Sequence, residues 1–187
     1  VIMRKVKVKS FLAEITSSAY DGLDSKEIDN IFKDLINQSD RNAVIVASSI
    51  IDDILSLQIR ALVKCGTLQE QNALFSDRGP FGSMYSKIEW LYCLGKLPAF
   101  VRKDINIIRT IRNDAAHKWR GFDLADDNYT KALKKMRVYS AVDQIKNSLA
   151  QEEKLSSADY VHMEPKVCFC LLSSILIILL GSQTKNY

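Results

Sequence analysis

The side chains able to do chemistry concentrate in one stretch, Asp104 to His117. Ile105, Ile108 and Ile111, with Ile107 beside them, recur at helical spacing, so the stretch predicts a helix. Arg109 and Arg112 lie three apart and project from one side of it. Asn113, Asp114 and His117 follow before the helix ends. A guanidinium, an amide, a carboxylate and an imidazole thus share about a turn and a half. Such a set suits an active or ligand site. It also suits plain scaffolding, with arginine neutralising a carboxylate and His117 facing the last carbonyls of its own helix.

The second group of interest is Asp52 and Asp53. They interrupt a long apolar helix predicted over 41–64, in which Val44, Ala47, Ile50, Ile51, Ile54 and Leu55 cover more than one face. A carboxylate on a mostly buried helix needs a partner. Arg109 and Arg112 are the candidates, giving an expected structural ion-pair set of Asp52, Asp53, Arg109 and Arg112.

Several elements are needed to position these groups. A helix is predicted over 25–38, with capping-box spacing between Asp24 and Glu27 and a break at Ser39 and Asp40. Gly66 closes the helix that follows. A short turn through Leu68, Leu74 and Phe75 precedes Arg78-Gly79-Pro80-Phe81-Gly82, a turn whose glycines allow unusual dihedrals. Ser83 caps a helix to Leu94, with Met84, Ile88, Leu91 and Tyr92 inward. Pro98 is a plausible first residue of the next helix, with a break near Arg102 before the Asp104–His117 stretch. Asp126 or Asp127 caps a helix through Met136, and a further helix is expected around 141–149. Residues 150–162 read as a polar loop in which His162 is idle. Pro165 opens a last helix, Val167 to Leu180, stopped by Gly181. That run is apolar on all sides but short for a membrane span, so it predicts a core helix. The expected architecture is all-α: a single-domain bundle over 25–181 around the C-terminal helix, with an N-terminal arm (1–24) and a tail (182–187).

Composition agrees with a folded helical chain. Of 187 residues, 47% are hydrophobic and 26% charged, while 7 glycines and 3 prolines are few for a turn-rich β protein. The net charge of +4 is too small to mark a nucleic-acid binder. Lys131, Lys134, Lys135 and Arg137 are expected to form a solvated face, and Trp119 and Phe122 to be core or interface aromatics. Cys65, Cys93, Cys168 and Cys170 form no Cys-x-x-Cys pair and sit among apolar residues, so buried thiols in a reducing cytoplasm are expected. No metal and no cofactor is expected: two histidines make no multi-histidine site, and glycine-rich phosphate or dinucleotide patterns are absent. The basic N-terminus lacks the apolar core of a secretory signal.

Several motifs in order resemble the MtlR family, the mannitol operon repressors. They are Ala47-Ser48-Ser49-Ile50-Ile51-Asp52-Asp53, Leu74-Phe75, Gly79-Pro80-Phe81-Gly82-Ser83, Lys87-Ile88, Leu94-Gly95 and Asp104 through His117. The resemblance covers 41–124 well and 164–180 loosely. It implies an all-helical regulator of transcription without a helix-turn-helix, acting through protein partners. No stretch here pairs a short turn with a basic recognition helix either, so direct DNA contact is left open. Arg112-Asn113-Asp114-Ala115-Ala116-His117 also resembles the Arg-polar-x-x-x-His pattern of HEPN-superfamily ribonucleases. That resemblance implies RNA as substrate and catalysis by Arg112, Asn113 and His117. His117 would then move a proton, Arg112 would stabilise phosphate charge, and Asn113 would orient either. The expected partners are a second copy of the chain or a regulatory protein, with RNA under the ribonuclease reading and no membrane.

Overall fold

The computed structural model describes residues 25–63, 66–140 and 164–184, side chains being described from residue 30 and up to residue 181. Among these residues there are seven helices and no strand. They are α1 (Ser25–Ile36), α2 (Asp40–Leu62), α3 (Leu68–Leu74), α4 (Met84–Cys93), α5 (Ala99–His117), α6 (Asp127–Leu133) and α7 (Pro165–Thr184). The expected arm, the Asp24 cap, Cys65, the helix at 141–149, the loop with His162 and the end of the tail lie outside the described residues.

The apolar run in the C-terminal helix dictates the centre of the molecule. With no polar stripe to offer to water, α7 must be covered on every side. From Cys168 to Leu180 each residue is buried, Phe169, Cys170, Leu172, Leu176 and Leu180 completely. A single side chain such as Phe169 contributes about 1.5–3 kcal/mol by leaving water. α1 and α2 lie against α7, and α2 in turn carries α5 and α4 on its other side. α6 bridges α5 and α7. The helix does not stop at Gly181, as the sequence suggested, but runs on to Thr184. Glycine lowers helix propensity by only about 1 kcal/mol, which tertiary packing overrides. Among the described residues one helix, α2, is long and apolar enough to cross a membrane. In this fold its apolar face is core, formed by Val44, Ala47, Ile51, Leu55 and Ile59.

α5 is continuous from Ala99, with no break at Arg102, and Pro98 stands just before it as N-cap. Arg102 is held instead by a two-pronged bond to Glu89, Nε to Oε1 at 2.9 Å and Nη2 to Oε2 at 2.6 Å. α2 starts where Ser39 Oγ accepts the Asn42 amide. It ends at Leu62 on Val63, three residues before Gly66. α4 ends on Gly95, whose φ of 68° frees the Lys96 amide to reach Leu91 O and its own amide to reach Tyr92 O. Two expectations of burial fail: Cys93 and Tyr92, near the end of α4, are both exposed. Trp119 is 79% exposed just beyond α5, while Phe122 packs against the core and the Tyr129 ring.

Candidate functional site

Two elements, α5 and the start of α4, converge on one side of α2. α5 is amphipathic: Val101, Asp104, Ile105, Ile108, Ile111 and Ala115 are buried on one face, and the opposite face is turned outward. That leaves Arg109, Arg112 and Asn113 on the α2 side. The N-terminus of α4 arrives beside them, set by Ser83, whose Oγ accepts the Ser86 amide at 3.0 Å. Between these elements and α2 lies a cleft of about 460 Å³. Its walls include Ser48, Asp52 and Asp53 from α2, Gly82 to Tyr85 from the α4 entry, and Arg109, Arg112 and Asn113 from α5.

The loop before α4 has a job other than the one its glycines suggested. Neither Gly79 nor Gly82 has a positive φ. Both are pressed against backbone carbonyls instead: a side chain on Gly79 would strike those of Ala73 and Leu74, and one on Gly82 that of Ser76. The Phe81 amide bonds Leu74 O at 2.9 Å, and the Phe81 ring is buried between Phe75 and Trp90. This packing fixes where α4 begins, and with it one wall of the cleft. Gly82→Ala is therefore expected to lower stability by about 1–3 kcal/mol through overpacking. Urea denaturation measures it, and an unchanged midpoint would refute the close approach.

The structure brings Asp52, Asp53, Arg109, Arg112 and Asn113 to the cleft, but it does not pair them as the sequence suggested. Asp52 Oδ2 accepts from Lys87 Nζ at 2.7 Å. Lys87 is 5% exposed and comes from α4, which packs directly on α2. Arg109 Nε donates to Asn106 Oδ1 at 3.0 Å, and its guanidinium lies 5.3 Å from the Tyr85 ring centre. Arg112 Nη1 donates to the neighbouring Asn113 Oδ1 at 3.3 Å. Among the described residues neither arginine has a carboxylate partner. Two polar atoms at the cleft are buried and unbonded: Ser48 Oγ and Asp52 Oδ1.

His117 stands apart. It is exposed at the last position of α5, five residues on from Arg112, and does not line the cleft. At 100° per residue the two side chains leave the helix about 140° apart. The capping role considered for His117 falls to Arg41, whose guanidinium donates to Ala115 O and Lys118 O at the end of α5. Nearby, the Tyr129 hydroxyl donates to Asp114 Oδ2 at 3.0 Å and accepts from Lys118 Nζ at 2.7 Å. That bond from Lys118 raises the lysine's pKa above its usual value. Burial, first of all, raises that of the tyrosine. The basic residues Lys131, Lys134, Lys135 and Arg137 are all exposed.

No protein-family profile matches the chain, and no curated protein does. A solved structure does match. The fold is similar to the crystal structure of a possible transcriptional regulator, YggD from Shigella flexneri. The TM-score is 0.58 and the identity 14%, over 86% of this chain and 98% of that one. At this identity the likeness establishes the shared fold.

Sequence reasoning missed Lys87 and Ser48, although a signal for both was present. Met84, Lys87, Ile88 and Leu91 follow the spacing of one buried stripe, as do Val44, Ala47, Ser48 and Ile51. A polar residue inside such a stripe is held against the core and has to find its partner there.

Proposed function

We propose that this chain is a cytoplasmic transcriptional regulator that works through protein contacts, as a homodimer or with a regulatory partner. The observation that carries this reading is the fold shared over most of both chains with a protein described as a possible transcriptional regulator. The ordered motifs that resemble mannitol operon repressors point the same way and make a sugar-alcohol operon the first target to examine. The surface favours protein contact. Tyr85, Trp90, Tyr92, Leu94 and Phe100 are all large, apolar and between 37% and 53% exposed on α4 and the start of α5. Aromatic residues of this kind anchor protein interfaces. The position of His117 outside the cleft gives the ribonuclease reading no support within one chain.

Deletion of the gene followed by transcript measurement tests the proposal. Transcripts of a linked sugar-alcohol operon are expected to change, and the pure protein is expected to leave RNA intact without added metal. Unchanged transcripts genome-wide would refute regulation. Metal-independent RNA cleavage that vanishes in His117→Ala would replace it with nuclease chemistry.

A further inference from the structure

The cleft between α2, α4 and α5 is built differently from an incidental surface hollow. Its volume of about 460 Å³ falls within the range of small-molecule sites, about 300–1,000 Å³. Its charge is unbalanced. Lys87 already neutralises Asp52. Two guanidiniums, Arg109 and Arg112, then face one remaining carboxylate, Asp53. The positive end of α4, a helix of 10 residues, opens on the same space. Ser83 spends its side chain on capping, but no carbonyl of the described residues accepts from the Met84 or Tyr85 amides. The far wall carries the unpartnered atoms. Ser48 is 3% exposed and its Oγ makes no hydrogen bond. Asp52 Oδ1, one helical turn further along α2, makes none either.

We infer that this cleft binds a small organic anion that carries a hydroxyl group. The anionic head, phosphate or carboxylate, lies on Arg109 and Arg112. These offer planar, permanently charged donors suited to oxyanions. Neither side chain is held by a hydrogen bond at these atoms, and a small turn of each toward the cleft lets one ligand hydroxyl donate to Asp52 Oδ1 and accept from Ser48 Oγ. One group therefore satisfies both buried atoms. The Asp52–Lys87 pair stays intact through Oδ2. Asp53 at the rim disfavours ligands with a second, distant negative charge. The assignment rests on the cleft alone and stands or falls independently of the regulatory proposal.

Calorimetric titration of the full chain at constant ionic strength tests it. The probes are inorganic phosphate, acetate, glycerol 3-phosphate and glycerate. The two hydroxylated anions are expected to bind about tenfold or more tighter than phosphate or acetate. Whichever of the two binds tighter identifies the head group. Arg109→Gln with Arg112→Gln is expected to weaken every probe about tenfold or more. Both arginines hydrogen-bond only to neighbours on their own helix, and the one contact beyond it is Arg109 over the half-exposed Tyr85 ring, so this variant is expected to keep its circular dichroism and, within a few degrees, its melting temperature. Ser48→Ala is expected to erase the advantage of the hydroxylated anions while leaving inorganic phosphate unchanged. The inference is overturned if none of the probes binds saturably, or if the double arginine variant binds them as the wild type does. It is also overturned if a single-stranded RNA oligonucleotide binds through the same arginines and none of the small anions displaces it.

Discussion

Asp104→Ala is expected to lower the stability of the fold by about 3 kcal/mol. Asp104 is 1% exposed on the inner face of α5, and its carboxylate holds the segment that follows α6. Oδ1 accepts the Arg137 amide at 2.9 Å, and Oδ2 accepts the Val138 amide at 3.1 Å. Val138 and Met136 are part of the core, so this segment is anchored by both apolar contact and the carboxylate. A hydrogen bond to a charged group is worth about 1.5–3 kcal/mol, and alanine removes two. Against this stands the cost of keeping a carboxylate out of water, which alanine relieves. The difference corresponds to a fall in melting temperature of about 6–12 °C for a domain of this size. A shift within 1 °C would show that the segment holds without the carboxylate.

The same residue sets a pH dependence. Burial pushes the Asp104 carboxyl above its usual pKa, and the two amides and the charge of Arg137 only partly offset it. A carboxyl with a raised pKa in the folded state favours folding most when protonated. Its contribution is complete below the unfolded value of about 4 and is lost as pH rises through the folded value. Relative to Asp104→Asn, which does not titrate, the wild type is expected to lose stability over that interval as pH increases.

Asp104 also shows what could be read from the sequence and what could not. The bundle was legible because helical periodicity leaves few alternatives. Ile105, Ile108 and Ile111 on α5 and Val44, Ala47, Ile51 and Leu55 on α2 could only face a core, and an all-round apolar α7 could only be at its centre. Local caps were legible for the same reason: Ser39, Ser83 and Asp126 act on amides two or three residues away. Partners across helices were not legible, because periodicity gives a face without its rotation against the next helix. Asp104, Lys87 and Gln58 each occupy the i+3 position of an apolar stripe, just before Ile105, Ile88 and Ile59 in turn, and Ser48 occupies the i+4 position, just after Ala47. Each is buried. Gln58 Nε2 spans to Leu180 O at 2.8 Å, a bond between residues 122 positions apart that no local pattern encodes. The gathering of Asp52, Asp53, Arg109, Arg112 and Asn113 at one cleft followed from α2 and α5 being neighbours. The choice of partner within it depended on α4, whose approach is set by Gly79 and Gly82 packing on carbonyls.

Lys87→Met is expected to cost about 2–3 kcal/mol, and Arg112→Ala almost nothing. The two variants test which cation Asp52 depends on. Methionine keeps the apolar stem of Lys87 against α2 and removes only the ammonium. Asp52 is then left with neither oxygen partnered, since Oδ1 already has no hydrogen bond. Stranding one member of a fully buried pair costs about 3–5 kcal/mol. The Asp52 side chain keeps a third of its surface in water, which lowers the figure. Adding Asp52→Asn removes the stranded charge and is expected to recover about half the loss, a coupling a double-mutant cycle reads directly. Arg112 is exposed and its guanidinium bonds only to Asn113, so its loss is expected to stay within about 0.5 kcal/mol. Chemical denaturation of Lys87→Met, Arg112→Ala and Asp52→Asn, and of the two double variants that pair Asp52→Asn with each of the others, decides the matter. If Arg112→Ala proved costly and coupled to Asp52, the ion pair would belong to α5, and the arginines would be scaffold. If the coupling runs through Lys87 alone, Arg109 and Arg112 contribute little to the fold, and their charge faces the cleft for another reason.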